Sequence, residues 1–344
     1  MKMRSTQKAQ KEFIFEEKRS FASCHASTLV ALDNNEVLVS WFGGTAEKNS
    51  DVAIWLSRRL TDGWTNPVCI ADEEGIAHWN PVLFQGIDNR IFLFYKVGHE
   101  ISDWFTRVRV STDDGHTWSE ARELVPGDNR GGRGPVKNKP VLLNNGVIAA
   151  PASVEGPDPE NDGKDIWEAF VDLSSDNGDT WQASARVPMD YETLVGHQHS
   201  RAKGVIQPTL WESGHQLHML LRSTEGWIYR SDSNDGGATW QPAYPIGLPN
   251  NNSGIDLVAM DSGTLALVYN PVQGYSTRTA RSPLSVIFSR DNGINWGDEF
   301  ILEQEAGEYS YPAIVDQGDK LHITYTWKRE RIVYWKLDMG EWHG

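Results

Sequence analysis

A repeated turn motif constrains the fold of this chain more than any other feature of its sequence. Four segments follow the pattern Ser-x-Asp-x-Gly-x-Thr-Trp or a close variant, and they begin at Ser111, Ser174, Ser233 and Ser289. In this pattern the aspartate accepts hydrogen bonds from nearby backbone N–H groups, the glycine permits a positive φ, and the tryptophan returns to a core. Each copy therefore predicts a turn that follows a strand. We call these four segments the repeat turns; a shortened fifth copy ends at Trp64.

A second pattern occupies the sequence between these turns: an entry segment, an apolar strand, a polar turn and another apolar strand. It occurs six times, beginning near His25, Asn80, Lys139, Gln207, Ile255 and Tyr311. The repeat turns begin 63, 59 and 56 residues apart. Strand repeats at this spacing, with little helical periodicity, predict an all-β, six-bladed β-propeller in which residues 1–344 form a single domain.

The sixth blade has no repeat turn and needs a fourth strand from elsewhere. The segment Lys11–Glu17 alternates apolar and polar residues, as a half-buried strand does. We therefore expect the N- and C-terminal strands to pair and to close the ring, because pairing removes exposed sheet edges.

Composition excludes several classes of function. Asp and Glu number 47 against 32 Lys and Arg, for a formal charge of −15, which argues against a nucleic-acid or anionic-membrane partner. The chain as written has neither a membrane-length apolar run nor a signal-peptide core, so we expect a cytoplasmic protein, or an exported one if a signal was removed. Cys24 and Cys69 lack disulfide or metal-site spacing and are expected to be buried free thiols.

These repeats resemble the sialidase superfamily of propellers, whose Asp boxes match the repeat turns, and the resemblance covers nearly the whole chain. It implies that the repeat turns lie on the face away from the active site. It also implies a site in which three arginines bind the substrate carboxylate, a tyrosine nucleophile is activated by a glutamate, and an aspartate in a first-blade loop is the acid/base. The resemblance requires no cofactor.

Several residues match this site. Arg222 and Arg281 resemble the second and third arginines of the family, and two guanidiniums at one cavity suit a carboxylate. Tyr309 fits the nucleophile by its Tyr-Ser motif, and Tyr311 fits almost as well if the strand register slips. Glu47 and Asp51 lie in the loop where the family places its acid/base, and they stay alternatives.

Two departures put the family mechanism in doubt. His25 stands where the first arginine is expected, and Gln207 stands where the glutamate is expected. An amide cannot take a proton from a tyrosine, so a conventional sialidase mechanism is not expected. His25 and His78 both enter inner strands of neighbouring blades, so they form a candidate acid/base pair.

Other polar and aromatic residues are candidates for binding substrate. Lys137 and Lys139 add cations at the third blade, and the amides of Asn80 and Asn252 are suited to sugar hydroxyls. Three tryptophans near strand ends are candidates for stacking on a sugar ring, although most are expected to pack between blades: Trp41, Trp79 and Trp327.

No metal site is predicted. His197 and His199 have no third ligand nearby in sequence, and the acidic run 158–165 lacks the twelve-residue calcium pattern. The glycine-rich run 127–134 lacks the spacing of a phosphate-binding loop.

The leading expectation is a sialidase-like glycoside hydrolase whose partner is an acidic oligosaccharide or glycan with a terminal carboxylated sugar. The first alternative is a lyase on uronate-containing polysaccharides, with His25 and His78 as base and acid. The second is a glycan-binding propeller without catalysis, which Gln207 and the missing arginine permit.

Overall fold

The computed structural model describes residues 9–17, 19–127, 132–157, 165–195, 202–274 and 280–340. All regular structure within these ranges is β-strand, and none of it is α-helix. In the same ranges no helix long and apolar enough to span a bilayer is present.

The strands form six consecutive units with antiparallel pairing inside each, and the first strand in the chain, β1 (Ala9–Phe13), belongs to the last of them. Parallel pairing of residues 165–167 with residues 202–204 joins the third and fourth units into one sheet. The first unit contains β2 (Ser23–Ala31), β3 (Val37–Gly44), β4 (Ala53–Leu60), β5 (Gly63–Trp64) and β6 (Val68–Ala71). The second unit contains β7 (His78–Gln85), β8 (Ile91–Val97), β9 (Phe105–Ser111) and β10 (Arg122–Glu123). The third unit contains β11 (Val141–Leu142), β12 (Ile148–Pro157), β13 (Asp165–Ser174) and β14 (Gln182–Ala183).

The second half of the chain repeats this arrangement. The fourth unit contains β15 (Ala202–Ser213), β16 (Gln216–Ser223), β17 (Trp227–Ser233) and β18 (Tyr244–Pro249). The fifth unit contains β19 (Asp256–Ala259) and β20 (Leu265–Tyr269); after the short strand β21 (Ala280–Arg281), it continues with β22 (Leu284–Ser289) and β23 (Gly297–Glu303). The sixth unit contains β24 (Gly307–Asp316), β25 (Lys320–Trp327) and β26 (Arg331–Asp338), with β1 at its outer edge.

Apolar cores join each unit to the next. Six clusters of buried side chains join the first unit to the second, the second to the third, and so on, and the last joins the sixth unit back to the first. In that last cluster Leu29 and Trp41 of the first unit pack with Ile332 and Tyr334 of the sixth. Burial on both faces explains why second strands such as β3 are buried throughout.

The N-terminal strand pairs with the C-terminal strand, as the sequence predicts. The antiparallel register runs from Ala9 opposite Leu337 to Phe13 opposite Val333. The strand ends at Phe13, before the predicted end. The backbone N–H of Ile14 still donates to the carbonyl of Ile332 (3.1 Å), and the side chains of Ile14 and Phe15 enter the buried cluster between the sixth and first units.

The repeat turns share one hydrogen-bond pattern. In the first, the Ser111 hydroxyl donates to Asp113 (2.8 Å) and accepts from the Gly115 N–H (2.8 Å), while the backbone N–H of Thr117 donates to Asp113 (2.8 Å). Equivalent bonds occur in the turns that begin at Ser174, Ser233 and Ser289. These bonds favour the ionised carboxylate and lower the pKa of Asp113 to about 2.

Arginines from preceding units hold three of these turns in place. Arg58, Arg90 and Arg230 each donate to a backbone carbonyl within the repeat turn of the following unit. The turns follow third strands, so they lie at the opposite end of each sheet from the start of the inner strand. The starts of the inner strands and the ends of the second strands therefore share the face on which the candidate site is built.

Candidate functional site

Four inner strands begin with a β-bulge that turns one side chain out of the regular alternation. The pairing register shifts at the start of β2, β7, β15 and β24. Each shift contains a non-glycine residue with positive φ: Ala26 (56°), Asn80 (39°), Gln207 (53°) and Tyr311 (52°). This backbone region is costly for residues with a side chain, and bulges near functional sites commonly re-aim a side chain. The bulges thus mark one face of the molecule as the place to look for chemistry.

Tyr311 is the side chain on which the units converge. Its hydroxyl lies 3.3 Å from the Gln207 amide nitrogen and 3.4 Å from Nη1 of Arg222, both in the fourth unit. Its ring centroid is 4.3 Å from that of His25 in the first unit. The sixth unit does not neighbour the fourth along the chain, so these contacts place Tyr311 near the centre of the molecule. We call Tyr311, Gln207, Arg222 and His25 the central cluster.

Arg222 is held in a fixed orientation. Its Nε donates to Oδ1 of Asn252 (2.8 Å) and its Nη1 to Oε1 of Gln207 (3.0 Å), and the guanidinium lies 5.6 Å from the ring centroid of Trp167. Within the described residues its Nη2 makes no hydrogen bond. Asn252 therefore positions the arginine, and the guanidinium keeps donor capacity for a ligand.

Arg281 adjoins the cluster and belongs to an ion-pair network. Short strand β21 places it beside Glu308 in parallel pairing, and its Nη1 lies 3.4 Å from Oε1 of Glu308. It is close enough to interact electrostatically with Tyr311, Arg222 and Arg329. Burial lowers the pKa of this guanidinium, and Glu308 opposes that effect.

Arg329 is a third arginine at this face, and the sequence comparison missed it. It follows β25, donates from Nε to both oxygens of Glu308 (3.1 and 3.2 Å), and donates from Nη1 to Glu47 (2.6 Å). These carboxylates raise its pKa despite burial. It adopts a positive φ of 57°, as does Lys328 before it, so a tight turn of two non-glycine residues presents it. The available signal was positional, because Arg222 also lies at the end of a second strand, as the penultimate residue of β16.

Glu155 is a second residue that the sequence did not single out. It lies on β12 opposite Trp167, is half-buried, and interacts electrostatically with Arg222. Burial raises its pKa, and the nearby Asp165 adds to that effect while Arg222 opposes it. A carboxylic acid with a raised pKa near the arginine of a candidate site is a candidate proton donor.

The prediction that Tyr309 is the nucleophile is wrong. Tyr309 is 1% exposed, packs in the apolar core of the fifth and sixth units, and meets Tyr325 edge-on with centroids 6.4 Å apart. Its pKa is raised by burial and by Glu303 and Glu305, which belong to the outer part of the fifth unit. The bulge between Ser310 and Ala313 separates its side chain from that of Tyr311.

His78 is a structural residue, which contradicts its predicted acid/base role. It is fully buried and stacks on Tyr95 (5.6 Å). Its Nδ1 lies 3.1 Å from the carbonyls of Val52 and Ile76, and its Nε2 accepts from the backbone N–H of Glu73 (3.1 Å). These bonds satisfy a neutral ring, and burial lowers its pKa. His25, by contrast, lies against Tyr311 and hydrogen-bonds Thr326 through Nδ1 (3.0 Å).

The two predicted cations of the third unit are not available to a substrate. Lys139 forms an ion pair with buried Asp256 (2.9 Å). Lys137 is 4% exposed; it donates to Asn138 (2.8 Å) and to the carbonyls of Ile255 and Pro312, and its Nζ lies 6.0 Å from the Tyr311 ring centroid. Burial lowers the pKa of Lys137 to about 7. Lys137 therefore supports the Tyr311 bulge from the inside of the molecule.

The two candidate acids of the first unit have partners within the protein. Asp51 is exposed and accepts two hydrogen bonds from Thr45, through the backbone N–H (2.9 Å) and the hydroxyl (2.9 Å), so it closes its own loop. Glu47 is paired with Arg329. Asn80 occupies the bulge of the second unit and is 5% exposed.

The remaining predictions have mixed outcomes. Trp41 (0% exposed) and Trp79 (2%) are core residues, while Trp327 is half-buried between cations. Cys24 is buried, but Cys69 is exposed, which contradicts the expectation for it. His197, His199, residues 158–164 and residues 128–131 lie outside the described residues. Within the described ranges, no group of three or more His, Cys, Asp or Glu side chains is arranged to bind a metal ion.

Comparison with known structures identifies the architecture. A protein of unknown function from Dyadobacter fermentans is 15% identical with a TM-score of 0.75, covering 96% of this chain and 99% of that one. The NanB sialidase of Streptococcus pneumoniae is 13% identical with a TM-score of 0.73, over 95% and 70% of the respective chains. The Trypanosoma rangeli sialidase, solved with sialic acid, is 14% identical with a TM-score of 0.69; the match covers 97% of this chain but only 59% of that one. No curated protein matches this sequence significantly.

The fold and the arginine-rich central face define an all-β protein of sialidase-like architecture. A family model for the BNR repeat-like domain matches residues 35–323. The chain belongs to this family.

Proposed function

We propose that this protein is a glycoside hydrolase that acts on glycans with a terminal carboxylated sugar. One observation supports the proposal: the guanidiniums of Arg222 and Arg281 lie near Tyr311 at the face where the inner strands begin, and that of Arg329 lies beside Arg281 on the shared partner Glu308. Two carboxylates, of Glu47 and Glu308, accompany them. The group keeps one net positive charge within a chain of formal charge −15, which favours a single anionic group on the ligand.

Arg222 is the primary carboxylate ligand in this proposal. Asn252 and Gln207 accept from Nε and Nη1 of its guanidinium, so its orientation is set before a ligand arrives. A pre-oriented planar fork binds a carboxylate through two parallel hydrogen bonds, and little side-chain entropy is lost. Arg281 and Arg329 are already paired with Glu308, so they contribute charge more than free donors.

In this proposal the hydroxyl of Tyr311 lies next to the anomeric carbon of the acidic sugar. Its oxygen receives hydrogen bonds from Arg222 and Gln207, which stabilise negative charge on it but cannot accept its proton. Glu155 supplies a proton to the leaving oxygen, because its raised pKa keeps the carboxyl protonated closer to neutral pH.

A second reaction, β-elimination on a uronate, is favoured by the same departures from the family pattern. Tyr311 has an amide partner where a carboxylate base is expected, and the imidazole of His25 lies against its ring. Arg222 would neutralise the uronate carboxylate, and His25 or Tyr311 would take the proton α to it. The C–H electrons then form the C4–C5 double bond while the C4–O bond breaks and the leaving oxygen gains a proton. His78 has no part in this version, since its ring is fully hydrogen-bonded elsewhere.

The proposal includes the arrangement of the six units. We infer that the six units close into a six-bladed propeller whose central face carries the site. The backbone N–H of Cys24 in the first unit donates to the carbonyl of Arg329 in the sixth (2.9 Å), which ties the two ends of the ring at the proposed site.

One panel of substrates separates the alternatives. The protein is incubated with sialosides and with glucuronide-terminated oligosaccharides, and products are followed by mass spectrometry and near-ultraviolet absorbance. Hydrolysis adds one water and leaves the absorbance unchanged, whereas elimination gives an absorbing unsaturated sugar. Binding of acidic sugars without any product in the panel would refute the enzymatic proposal and favour a lectin.

A further inference from the structure

Two adjacent residues at the entry to the third unit reach across the middle of the molecule. Lys137 and Asn138 are buried, and they precede β11, which at two residues is the shortest of the inner strands. Their side chains donate hydrogen bonds to backbone carbonyls of the fourth, fifth and sixth units. We call Lys137 and Asn138 the entry pair.

Asn138 holds the bulge of the fourth unit. Its Nδ2 donates to the carbonyls of Gln207 (3.0 Å) and Pro208 (3.0 Å). Both N–H donors of this amide are therefore used on two consecutive carbonyls of the bulge. Gln207 has a φ of 53°, a conformation that is costly for a residue with a side chain and persists where surrounding groups hold it.

Lys137 holds the bulge of the sixth unit in the same way. Its Nζ donates to Oδ1 of Asn138 (2.8 Å) and to the carbonyls of Ile255 (2.8 Å) and Pro312. An ammonium group has three N–H donors, so these three acceptors use all of them. Pro312 directly follows Tyr311, whose φ is 52°. The bond between Lys137 and Asn138 thus joins the supports of the two bulges.

The ring of Tyr311 packs against the same support. Its centroid lies 6.0 Å from Nζ of Lys137. A Cβ placed on Gly254, at the entry to the fifth unit, would lie 3.3 Å from Cδ2 of Tyr311 and 3.4 Å from Cε of Lys137. Glycine at this position therefore lets the tyrosine and the lysine pack against the backbone of the fifth unit.

We propose that Lys137 and Asn138 are positioning residues, which fix Gln207 and Tyr311 at the separation where the amide of one hydrogen-bonds the hydroxyl of the other. That separation is 3.3 Å, from Nε2 of Gln207 to the hydroxyl of Tyr311. The inference rests on the proposed function, because the hydroxyl of Tyr311 is the group placed next to the anomeric carbon. Arg222 also has Asn252 as a partner, so the entry pair acts on the chemical step more than on carboxylate binding.

The separate effects on kcat and KM test the proposal. Lys137→Met removes three donors and keeps much of the side-chain length. It should lower kcat on the preferred acidic glycan roughly 100-fold, the usual cost of misplacing a reacting group by about 1 Å. KM should change less than about threefold, because the carboxylate contact at Arg222 remains. An unchanged kcat, or a loss of activity that lies in KM alone, would overturn the proposal.

Lys96→Met is the matched control. Lys96 is also buried, but it donates to the Thr106 hydroxyl (2.6 Å) and the Arg133 carbonyl (2.6 Å), which lie outside the central cluster. This variant removes a buried lysine of the second unit and should keep kcat within about twofold of the parent. Equal losses of kcat in Lys96→Met and Lys137→Met would show a general effect of losing a buried lysine and would refute the positioning role.

A second variant changes the shape of the entry pair very little. Asn138→Asp keeps an oxygen acceptor for Lys137 but loses both N–H donors to the fourth unit. It should lower kcat at least about tenfold with little change in KM, because the Gln207 bulge is no longer held. Parent-like kcat in Asn138→Asp would exclude Asn138 from the positioning role.

Crystal structures separate this inference from the proposed function. In Lys137→Met and Asn138→Asp the distance from the Tyr311 hydroxyl to the Gln207 amide should exceed about 3.5 Å, beyond hydrogen-bond range, while Lys96→Met should keep the parent distance. That result supports the positioning role even if no acidic glycan is turned over. An unmoved pair in both entry-pair variants would refute it, and turnover by the parent would then leave the proposed function standing.

Discussion

Replacement of Arg222 probes the proposed carboxylate contact most sharply. In Arg222→Met the side chain keeps much of its apolar length, but the charge and all donors are lost. Oδ1 of Asn252 and Oε1 of Gln207 each lose the donor they now have at 2.8 and 3.0 Å. The hydroxyl of Tyr311 also loses a neighbouring cation at 3.4 Å.

The size of the effect follows from the bonds removed. A hydrogen bond to a charged group contributes about 1.5–3 kcal/mol, so losing two to a substrate carboxylate costs about 3–6 kcal/mol. That cost corresponds to a fall in kcat/KM of roughly 10²–10⁴-fold. Arg222→Lys keeps the charge without the planar fork, so we expect an intermediate loss.

The assay compares kcat/KM on the preferred acidic glycan, together with melting temperature to exclude unfolding. Arg290→Met is the control: it makes the same charge change at a side chain that is 49% exposed and lies in a repeat turn. Charges more than about 8 Å apart at the surface are largely screened at physiological salt, so this control should match the parent. If Arg222→Lys keeps full activity, or if Arg290→Met loses as much as Arg222→Met, the clamp is refuted.

Three further predictions concern the proton donor and the fold. In the parent protein kcat should fall as pH rises through the raised pKa of Glu155. Glu155→Gln should lower kcat roughly 10²–10⁴-fold and should also abolish this fall at high pH. An unchanged pH profile would exclude Glu155 as the acid. The pKa values of Asp113 and Asp291 are lowered to about 2 in the folded protein. The stability that these carboxylates add is therefore complete above their unfolded pKa near 3.8, and it is lost as pH falls toward 2. Asp113→Asn should lower the melting temperature at pH 7 but not at pH 2, and equal shifts at both pH values would contradict this. Deleting residues 1–20 removes β1 and the buried Ile14 and Phe15, so the melting temperature should collapse; an unchanged melting curve would refute closure through the termini.

The period of the repeats predicted the strand units and their order, because each unit must bury both faces against its neighbours. The same reasoning located the bulge residues Gln207 and Tyr311 at strand entries, since each precedes a proline that opens an apolar run. The repeat turns were also predictable, because their serine, aspartate and glycine bond within eight residues of each other. Local chemistry determines these features.

The tyrosine assignment failed because strand alternation does not reveal a bulge. Tyr309 and Tyr311 are two residues apart, so a regular strand puts both on one face. The shift between Ser310 and Ala313 breaks that rule, and Tyr309 enters the core while Tyr311 enters the cluster. Pro312 lies within the shift, but a proline does not show which of the two tyrosines enters the core.

The sequence also could not predict which residues pair with the ionisable side chains. Lys139 and His78 have the right chemistry for a site, but their partners, Asp256 and the loop around Glu73, are set by tertiary packing. Arg329 was missed for the converse reason: the family pattern directs attention to the first blade, whereas this arginine reaches the site from the last. Glu308 on β24 pairs with β21, which is far from it in sequence, and it holds Arg329 at the site through an ion pair.

The affinity of the protein for an acidic sugar and for its methyl ester tests the central claim most directly. Calorimetry with sialic acid and glucuronic acid, each compared with its methyl ester, isolates the carboxylate while leaving the ring and hydroxyls unchanged. We predict that at least one free acid binds and that its ester binds roughly 100-fold more weakly, as expected for the loss of a charge-assisted pair. Equal binding of acid and ester, or an effect of esterification that persists in Arg222→Met, would contradict a carboxylate site at Arg222 and Tyr311.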